Sequence, residues 1–146
     1  MSLLYFDDLG VGATFRAGPV EMTAEEIKAF ARRFDPQPFH TDEAAAEDSF
    51  FKGLAASGWH TAAATMRMLV DALPVKDGLI GAGLDQLNWP RPTRPGDVLR
   101  VEVEVLEARV MKSRPLGLVK LRCTTLNQND EPVQVSVTNI LAPLRE

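Results

Sequence analysis

Two proton-handling side chains, Asp35 and His40, lie five residues apart in the segment Asp-Pro-Gln-Pro-Phe-His. Because Asp35 precedes a proline, its backbone is biased away from helical angles, so a preceding helix should end there and His40 should follow on a stiffened loop. A carboxylate and an imidazole can hold one water molecule between them, which predicts chemistry that adds or removes water. The alternative is a plain structural turn, since Asp-Pro commonly opens turns and His40 could lie on the surface.

Composition limits the classes of protein that this chain can represent. At 146 residues, of which 45% are hydrophobic, it can bury one core, so we expect a single domain over residues 1–146. The net charge of −4 argues against binding of nucleic acid. The lone Cys123 allows no internal disulfide and no cysteine cluster, and with two histidines we expect no metal site. The chain has no apolar run of about 20 residues and no basic N-terminal start, which predicts a cytoplasmic protein outside the membrane.

Three helices are predicted in the first half of the chain. Thr23 and Glu26 form a capping box, followed by a helix over about residues 24–34 that delivers Asp35 at its end. Thr41, with two acidic neighbours, can cap a shorter helix through residues 44–46. The third helix should begin at Ser57 and Gly58 and continue to about residue 73. Apolar residues cover most of its circumference, which predicts an enclosed, central helix.

The second half changes to the two-residue period of β-strands. Residues 98–105 alternate cleanly, residues 119–123 continue the pattern, and Val133, Val135 and Val137 repeat it beyond a polar turn. Weaker strands are predicted over residues 13–21 and 79–89. The expected fold class is therefore α+β, with about five antiparallel strands wrapped around the long apolar helix.

This order of elements resembles the MaoC-like dehydratases, which belong with the (R)-specific enoyl-CoA hydratases in the hotdog-fold superfamily. The resemblance covers roughly residues 10–142. It is carried by Asp35 and His40 at their spacing, by the glycine-led helix, and by the turn Arg-Pro-Thr-Arg-Pro-Gly-Asp at residues 91–97. Those hydratases usually have Gly before the aspartate, Asn between the pair and Ser early in the central helix. Here the corresponding places hold Phe34, Gln37 and, near the last, Thr61 or Ala62.

The resemblance implies an enoyl-CoA hydratase or dehydratase in which Asp35 and His40 are the catalytic pair. The backbone N–H of Gly58, at the start of a helix, can stabilise the enolate oxygen of a thioester that approaches the glycine closely. No cofactor is expected, because coenzyme A forms part of the substrate. Residues around this pair are candidates for contact with the acyl-CoA: Phe34, Gln37, Phe39, Ser57, Trp59 and Arg94.

Two further features leave alternatives open. The C-terminal part, residues 91–146, carries 9 basic against 7 acidic residues, so its arginines and lysines could meet the phosphates of coenzyme A or could be ordinary solvated strand positions. His60, in the first turn of the long helix, could face the cavity but would more often be a packing group.

Two other functions fit the same residues. A hotdog acyl-CoA thioesterase would attack the carbonyl carbon instead of the double bond, and a non-catalytic acyl-CoA-binding module would keep the fold without turnover. By the resemblance the protein should also form a homodimer or a higher homo-oligomer, because the edge strands of a small sheet need cover.

Overall fold

A computed structural model describes residues 2–146. Within them the helices are α1 (Ala24–Phe34), α2 (Pro38–Thr41), α3 (Glu43–Glu47) and α4 (Gly58–Ala72). The strands are β1 (Thr14–Met22), β2 (Ile80–Asn88), β3 (Asp97–Val110), β4 (Leu116–Leu126) and β5 (Pro132–Pro143).

Helix α1 begins and ends as its sequence predicts. The Oγ1 atom of Thr23 accepts a hydrogen bond from the Glu26 backbone N–H at 3.1 Å, which satisfies one of the free amides of the first turn. The helix buries Ile27 and Ala31, and its last bond runs from the Asp35 N–H to the Ala31 carbonyl at 2.8 Å. The apolar face of α1 therefore fixes where Asp35 leaves the helix.

The segment after Asp35 differs from the predicted loop, because His40 lies in the short helix α2. Pro38 opens this helix, a position where the missing N–H of proline costs nothing. The cap of α3 is Asp42 and not Thr41: its Oδ1 atom accepts from the Ala44 and Ala45 amides at 2.9 and 3.2 Å. Thr41 instead donates its hydroxyl to the carbonyl of Gln37.

The five strands form one antiparallel sheet in the order β1-β3-β4-β5-β2. On β3, alternate side chains are at most 2% exposed and face the helix, as predicted; they are Leu99, Val101, Val103 and Val105. Helix α4 packs against β1, β3 and β5. The expected hotdog fold, a sheet around a long helix, is therefore confirmed.

The valine pattern of β5 indicates that Val135 and Val137 face α4, but the opposite face of the strand does so in the structure. Residues paired across antiparallel strands share a face, and Gln134 and Ser136 pair with the fully buried Thr125 and Cys123 of β4. Val135 and Val137 therefore lie on the outer face. Polar residues are accepted inside because they bond to partners there, as when Gln134 accepts the Trp89 indole N–H at 2.9 Å.

Helix α4 is less enclosed than its composition suggests. One face is buried against the sheet, whereas Trp59, Met66 and Val70 are 57%, 46% and 47% exposed. A sheet of five strands covers only one side of the helix. Packing against this sheet therefore does not explain the apolar residues on the other side of α4. None of the helices in residues 2–146 is long and apolar enough to cross a membrane.

Candidate active site

The structure brings the side chains of Asp35 and His40 together. The Oδ2 atom of Asp35 lies 3.4 Å from Nε2 of His40, and the two side chains are 19% and 6% exposed. The C-terminal end of α1 supplies the carboxylate and α2 supplies the imidazole. A nearly buried acid and base thus face each other at the distance at which one water molecule can contact both.

The orientation of His40 follows from its other ring nitrogen. Nδ1 lies 2.6 Å from the carbonyl oxygen of Ala55, which can only accept, so Nδ1 carries the hydrogen. In the neutral ring, Nε2 is then the acceptor, and this is the atom that faces Asp35. The ring of Phe39 packs edge-on to His40 at 4.6 Å and that of Phe51 lies at 6.0 Å, which restricts its rotation.

Asp35 is held as a carboxylate. Burial raises its pKa, but hydrogen bonds from the side chains of Gln37 and Ser57 and the nearby His40 outweigh that effect and hold the pKa below the ordinary value. Gln37 donates to Oδ1 at 2.6 Å, on the side of the carboxyl group away from His40. Asp35 therefore serves as a hydrogen-bond acceptor or base at neutral pH.

The backbone N–H of Gly58 is a free donor at the start of α4. Ser57 caps this helix by accepting from the Trp59 amide at 3.2 Å, and no acceptor within residues 2–146 bonds to the Gly58 amide. The expectation that Gly58 leaves room for a thioester to approach needs correction on the Cβ side of the residue, because the indole of Trp89 fills that side. A Cβ atom at Gly58 would lie 2.6–2.7 Å from ring carbons of Trp89.

A cavity of about 490 Å³ contains both His40 and Gly58 in its wall, whereas Asp35 is not among its lining residues. The wall is mostly apolar, as suits an acyl chain. Its other lining residues are Phe50, Phe51, Ala56, Thr61, Trp89, Pro90, Arg91, Pro92, Thr93 and Val133. Most of them escaped the sequence analysis, although four belong to or adjoin the turn at residues 91–97 that it singled out.

None of the predicted acyl-contact residues lines the cavity: three of them support the pair, and the others lie elsewhere. Gln37 bonds to Asp35, Ser57 helps to lower the pKa of that carboxyl group, and Phe39 packs on His40, so all three support the pair and none lines the cavity. Phe34 is 62% exposed beside Arg33 and also lies outside the cavity wall. Trp59 is likewise outside, with its ring 5.5 Å from that of Trp89.

The basic residues of the C-terminal part do not form one phosphate site. Arg91 lines the cavity and pairs with Glu131 at 3.2 Å. Lys120 pairs with Asp85 and Glu107, and the remaining candidates, Arg122, Lys112 and Arg114, lie on the outer face of β4 or in the turn at the far end of β3.

Arg94, another predicted contact of the acyl-CoA, bonds to the protein backbone instead. Its guanidinium donates to backbone carbonyls of the connection between α3 and α4, so its contacts are structural.

His60 is a packing residue in this structure. Its ring stacks on Phe30 at 4.7 Å with the planes 7° apart, and it is absent from the cavity wall. Its Nδ1 atom is buried without a hydrogen-bond partner in the described part of the chain. Burial lowers the pKa of His60, against a smaller opposing effect of Glu26, so the ring is neutral at physiological pH.

Residues 2–146 offer neither a metal site nor a reactive thiol. Within residues 2–146, no group of three or more His, Cys, Asp or Glu side chains is arranged to hold a metal ion. Cys123 is buried, and burial raises the pKa of its thiol to about 11. The thiol is therefore protonated at neutral pH and is a poor nucleophile.

Comparison with known proteins places this geometry in a family. The model of the MaoC-like domain matches residues 9–126. A MaoC-like dehydratase from Rhodospirillum rubrum superposes with a TM-score of 0.94 and 52% identity, covering 98% of this chain and 99% of that one. An (R)-hydratase from Pseudomonas aeruginosa superposes with a TM-score of 0.80 and 28% identity, covering 98% of this chain and 88% of that one.

A curated relative gives the same result by sequence. The 3-hydroxybutyryl-CoA dehydratase of Methylorubrum extorquens is 30% identical over 147 residues, covering 100% of this chain and 88% of the relative. The match of the domain model spans most of the chain, including α1, α2 and α4, which carry Asp35, His40 and Gly58. The chain therefore belongs to the MaoC-like dehydratase family.

Proposed function

We propose that this protein is an enoyl-CoA hydratase, which reversibly adds water to the double bond of a 2-enoyl thioester. The observation that carries the proposal is the buried pair, with Oδ2 of Asp35 3.4 Å from Nε2 of His40 and with His40 fixed by its bond to Ala55. Both facing atoms are acceptors. A water molecule in contact with both can donate one hydrogen to each, and His40 borders the cavity from which a substrate would reach this water.

The reaction needs no co-reactant. The water oxygen bonds to C3 of the enoyl group as the C2–C3 π bond opens toward the carbonyl, and a water proton passes to the Asp35–His40 pair. The pair returns one proton to C2. One molecule of water has then been added, and dehydration of the 3-hydroxyacyl thioester is the same path in reverse.

The Gly58 amide supplies the electrostatic stabilisation. Negative charge develops on the thioester oxygen in the enolate intermediate. An unpaired N–H at the start of a helix of 15 residues favours negative charge at its own position. Trp89 packs against the Cβ side of Gly58, and both residues line the cavity. The donor is thus directed into the cavity without a competing protein acceptor.

Recognition of coenzyme A is assigned to the cavity mouth. Arg91 lines the cavity and its side chain is 51% exposed, so its guanidinium can exchange Glu131 for a phosphate of the carrier. We assign the acyl chain to the apolar wall formed by Phe50, Phe51 and Val133.

The test is hydration of crotonyl-CoA, followed by the loss of its enone absorbance. Asp35→Asn and His40→Ala should each lower kcat by about 10²-fold or more, because each removes one acceptor that holds the water. Asp71→Asn, an exposed aspartate on α4, is the matched control and should keep wild-type activity. Wild-type turnover in both site variants would exclude this mechanism.

The same assay separates the alternative functions. A thioesterase would release free thiol from crotonyl-CoA, which a thiol reagent detects, whereas a hydratase consumes the double bond and leaves the thioester intact. A binding module would retain affinity for the acyl-CoA and show neither signal.

A further inference from the structure

Arg94 projects from a rigid base in the turn between β2 and β3. Its own backbone N–H donates to Oδ2 of the buried Asp97 at 2.9 Å. The neighbouring Gly96 N–H donates to the carbonyl of Met22 at 2.7 Å and so ties the turn to β1. The guanidinium therefore extends from a point that is fixed on two strands.

This guanidinium holds the connection between α3 and α4 through its backbone. Nη1 donates to the carbonyls of Gly53 at 3.0 Å and Leu54 at 3.2 Å, and Nη2 donates to the carbonyl of Phe51. The connection passes through left-handed angles, with φ of +56° at Lys52 and +151° at Gly53. A path of this kind depends on such contacts, because no regular hydrogen-bond ladder holds it.

The anchored residues directly precede the carbonyl that orients His40. Ala55 accepts the Nδ1–H of His40 at 2.6 Å, and its own N–H donates to the carbonyl of Phe39 at 3.2 Å. The ring of Phe51, whose carbonyl Arg94 holds, lies 6.0 Å from the imidazole. Arg94 holds the residues before Ala55 and so fixes the position of the Ala55 carbonyl oxygen. That oxygen in turn selects the tautomer of the His40 ring.

We propose that Arg94 is a positioning residue for His40. It acts through the α3–α4 connection and fixes the Nδ1–H tautomer that leaves Nε2 free toward Asp35. This inference rests on the proposed hydratase function for its kinetic consequence, but its structural consequence is independent of turnover. It also separates Arg94 from Arg91, which lines the cavity.

Kinetics distinguish positioning from phosphate binding. Arg94→Ala should lower kcat for crotonyl-CoA by up to about 10²-fold with little change in KM, because a small displacement of a catalytic group costs this much. Arg94→Lys keeps the charge but not the fork that reaches three carbonyls, so it should also be impaired. Added guanidinium ion should restore part of the kcat of Arg94→Ala, and Arg109→Ala, on the exposed side of β3, should match the wild type.

The tautomer itself can be observed by nitrogen NMR, since the chain has only 2 histidines. The wild type should show His40 as the Nδ1–H form, and Arg94→Ala should show a mixture of the two tautomers, while His60 is unchanged. This measurement remains decisive if the wild type fails to hydrate crotonyl-CoA, an outcome that would refute the proposed function alone.

Two results would overturn the proposal. One is a raised KM with unchanged kcat, which would return Arg94 to phosphate binding. The other is a wild-type tautomer of His40 in the folded variants. If Arg94→Ala does not fold, Arg94→Lys decides by the same two measurements.

Discussion

Asp35 and His40 can act together because one side of each side chain is already occupied. Gln37 bonds to Oδ1 of the carboxylate, and Ala55 bonds to Nδ1 of the imidazole. The atoms that remain, Oδ2 and Nε2, face each other. The supporting bonds thus decide which atoms are presented to water. The two residue types alone do not determine this.

Gln37 offers a test of this support at the level of one residue. Its hydrogen bond lowers the pKa of Asp35, so Gln37→Leu should raise that pKa, since burial raises it and one opposing contact is lost. A depressed carboxylate pKa keeps the group ionised down to lower pH. The carboxyl group of Asp35 should therefore titrate at a higher pH in the variant.

The shift should appear directly in the carboxyl carbon titration of Asp35 by NMR. Asn129→Leu removes an exposed side-chain amide in the turn between β4 and β5 and should leave the titration of Asp35 unchanged. An unaltered titration of Asp35 in Gln37→Leu would show that the bond does not tune its pKa.

At the scale of elements, the contact between α1 and α4 brings Asp35 beside Ser57. His60 of α4 stacks on Phe30 of α1 at 4.7 Å, so this aromatic pair is part of the contact. The buried Nδ1 atom of His60 has no partner within residues 2–146, and an unsatisfied buried polar atom reduces stability. The contact therefore combines favourable packing with one unfavourable polar atom.

His60→Phe should keep the stacking and remove the cost. We expect the free energy of unfolding to rise by about 1 kcal/mol at neutral pH. The pKa of His60 is lowered by burial in the folded state, so the wild type loses stability as the pH falls below the unfolded histidine pKa of about 6.5. The advantage of the variant should therefore grow in acid, which urea unfolding on both sides of that pH measures.

His60→Leu is the companion variant, since it removes the polar atom but also the aromatic stacking, and it should gain less. Both variants should retain hydration of crotonyl-CoA. A loss of activity with intact folding would instead give His60 a direct part in the reaction.

Local signals predict elements better than they predict faces. The start of α1 is predictable because Thr23 and Glu26 carry the whole capping signal within one turn. The inward face of β5 is not, because register with β4 and a bond from Trp89 place Gln134 inside. The role of Arg94 is equally hidden, since its carbonyl partners lie 40–43 residues away.

At the scale of the whole molecule, two surfaces remain uncovered by the described chain. Strand β2 lies at the edge of the sheet, and eight of its nine residues are exposed. Helix α4 also presents Trp59, Met66 and Val70 to solvent, and the ring of Trp59 lies 5.5 Å from that of Trp89, just after β2. An open strand edge and an exposed apolar helix face are both features that a second copy of the chain can cover.

We propose that the protein is a homodimer through these surfaces, and Val70→Glu tests it. In a two-fold interface each introduced carboxylate would be buried near its own copy, so light scattering should show the mass fall from that of a dimer to that of a monomer. Val11→Glu is the matched control, because Val11 is 70% exposed in the turn before β1, and this variant should remain dimeric. A monomeric wild type would contradict the assembly, and an unchanged mass in Val70→Glu would move the interface to another face of the molecule.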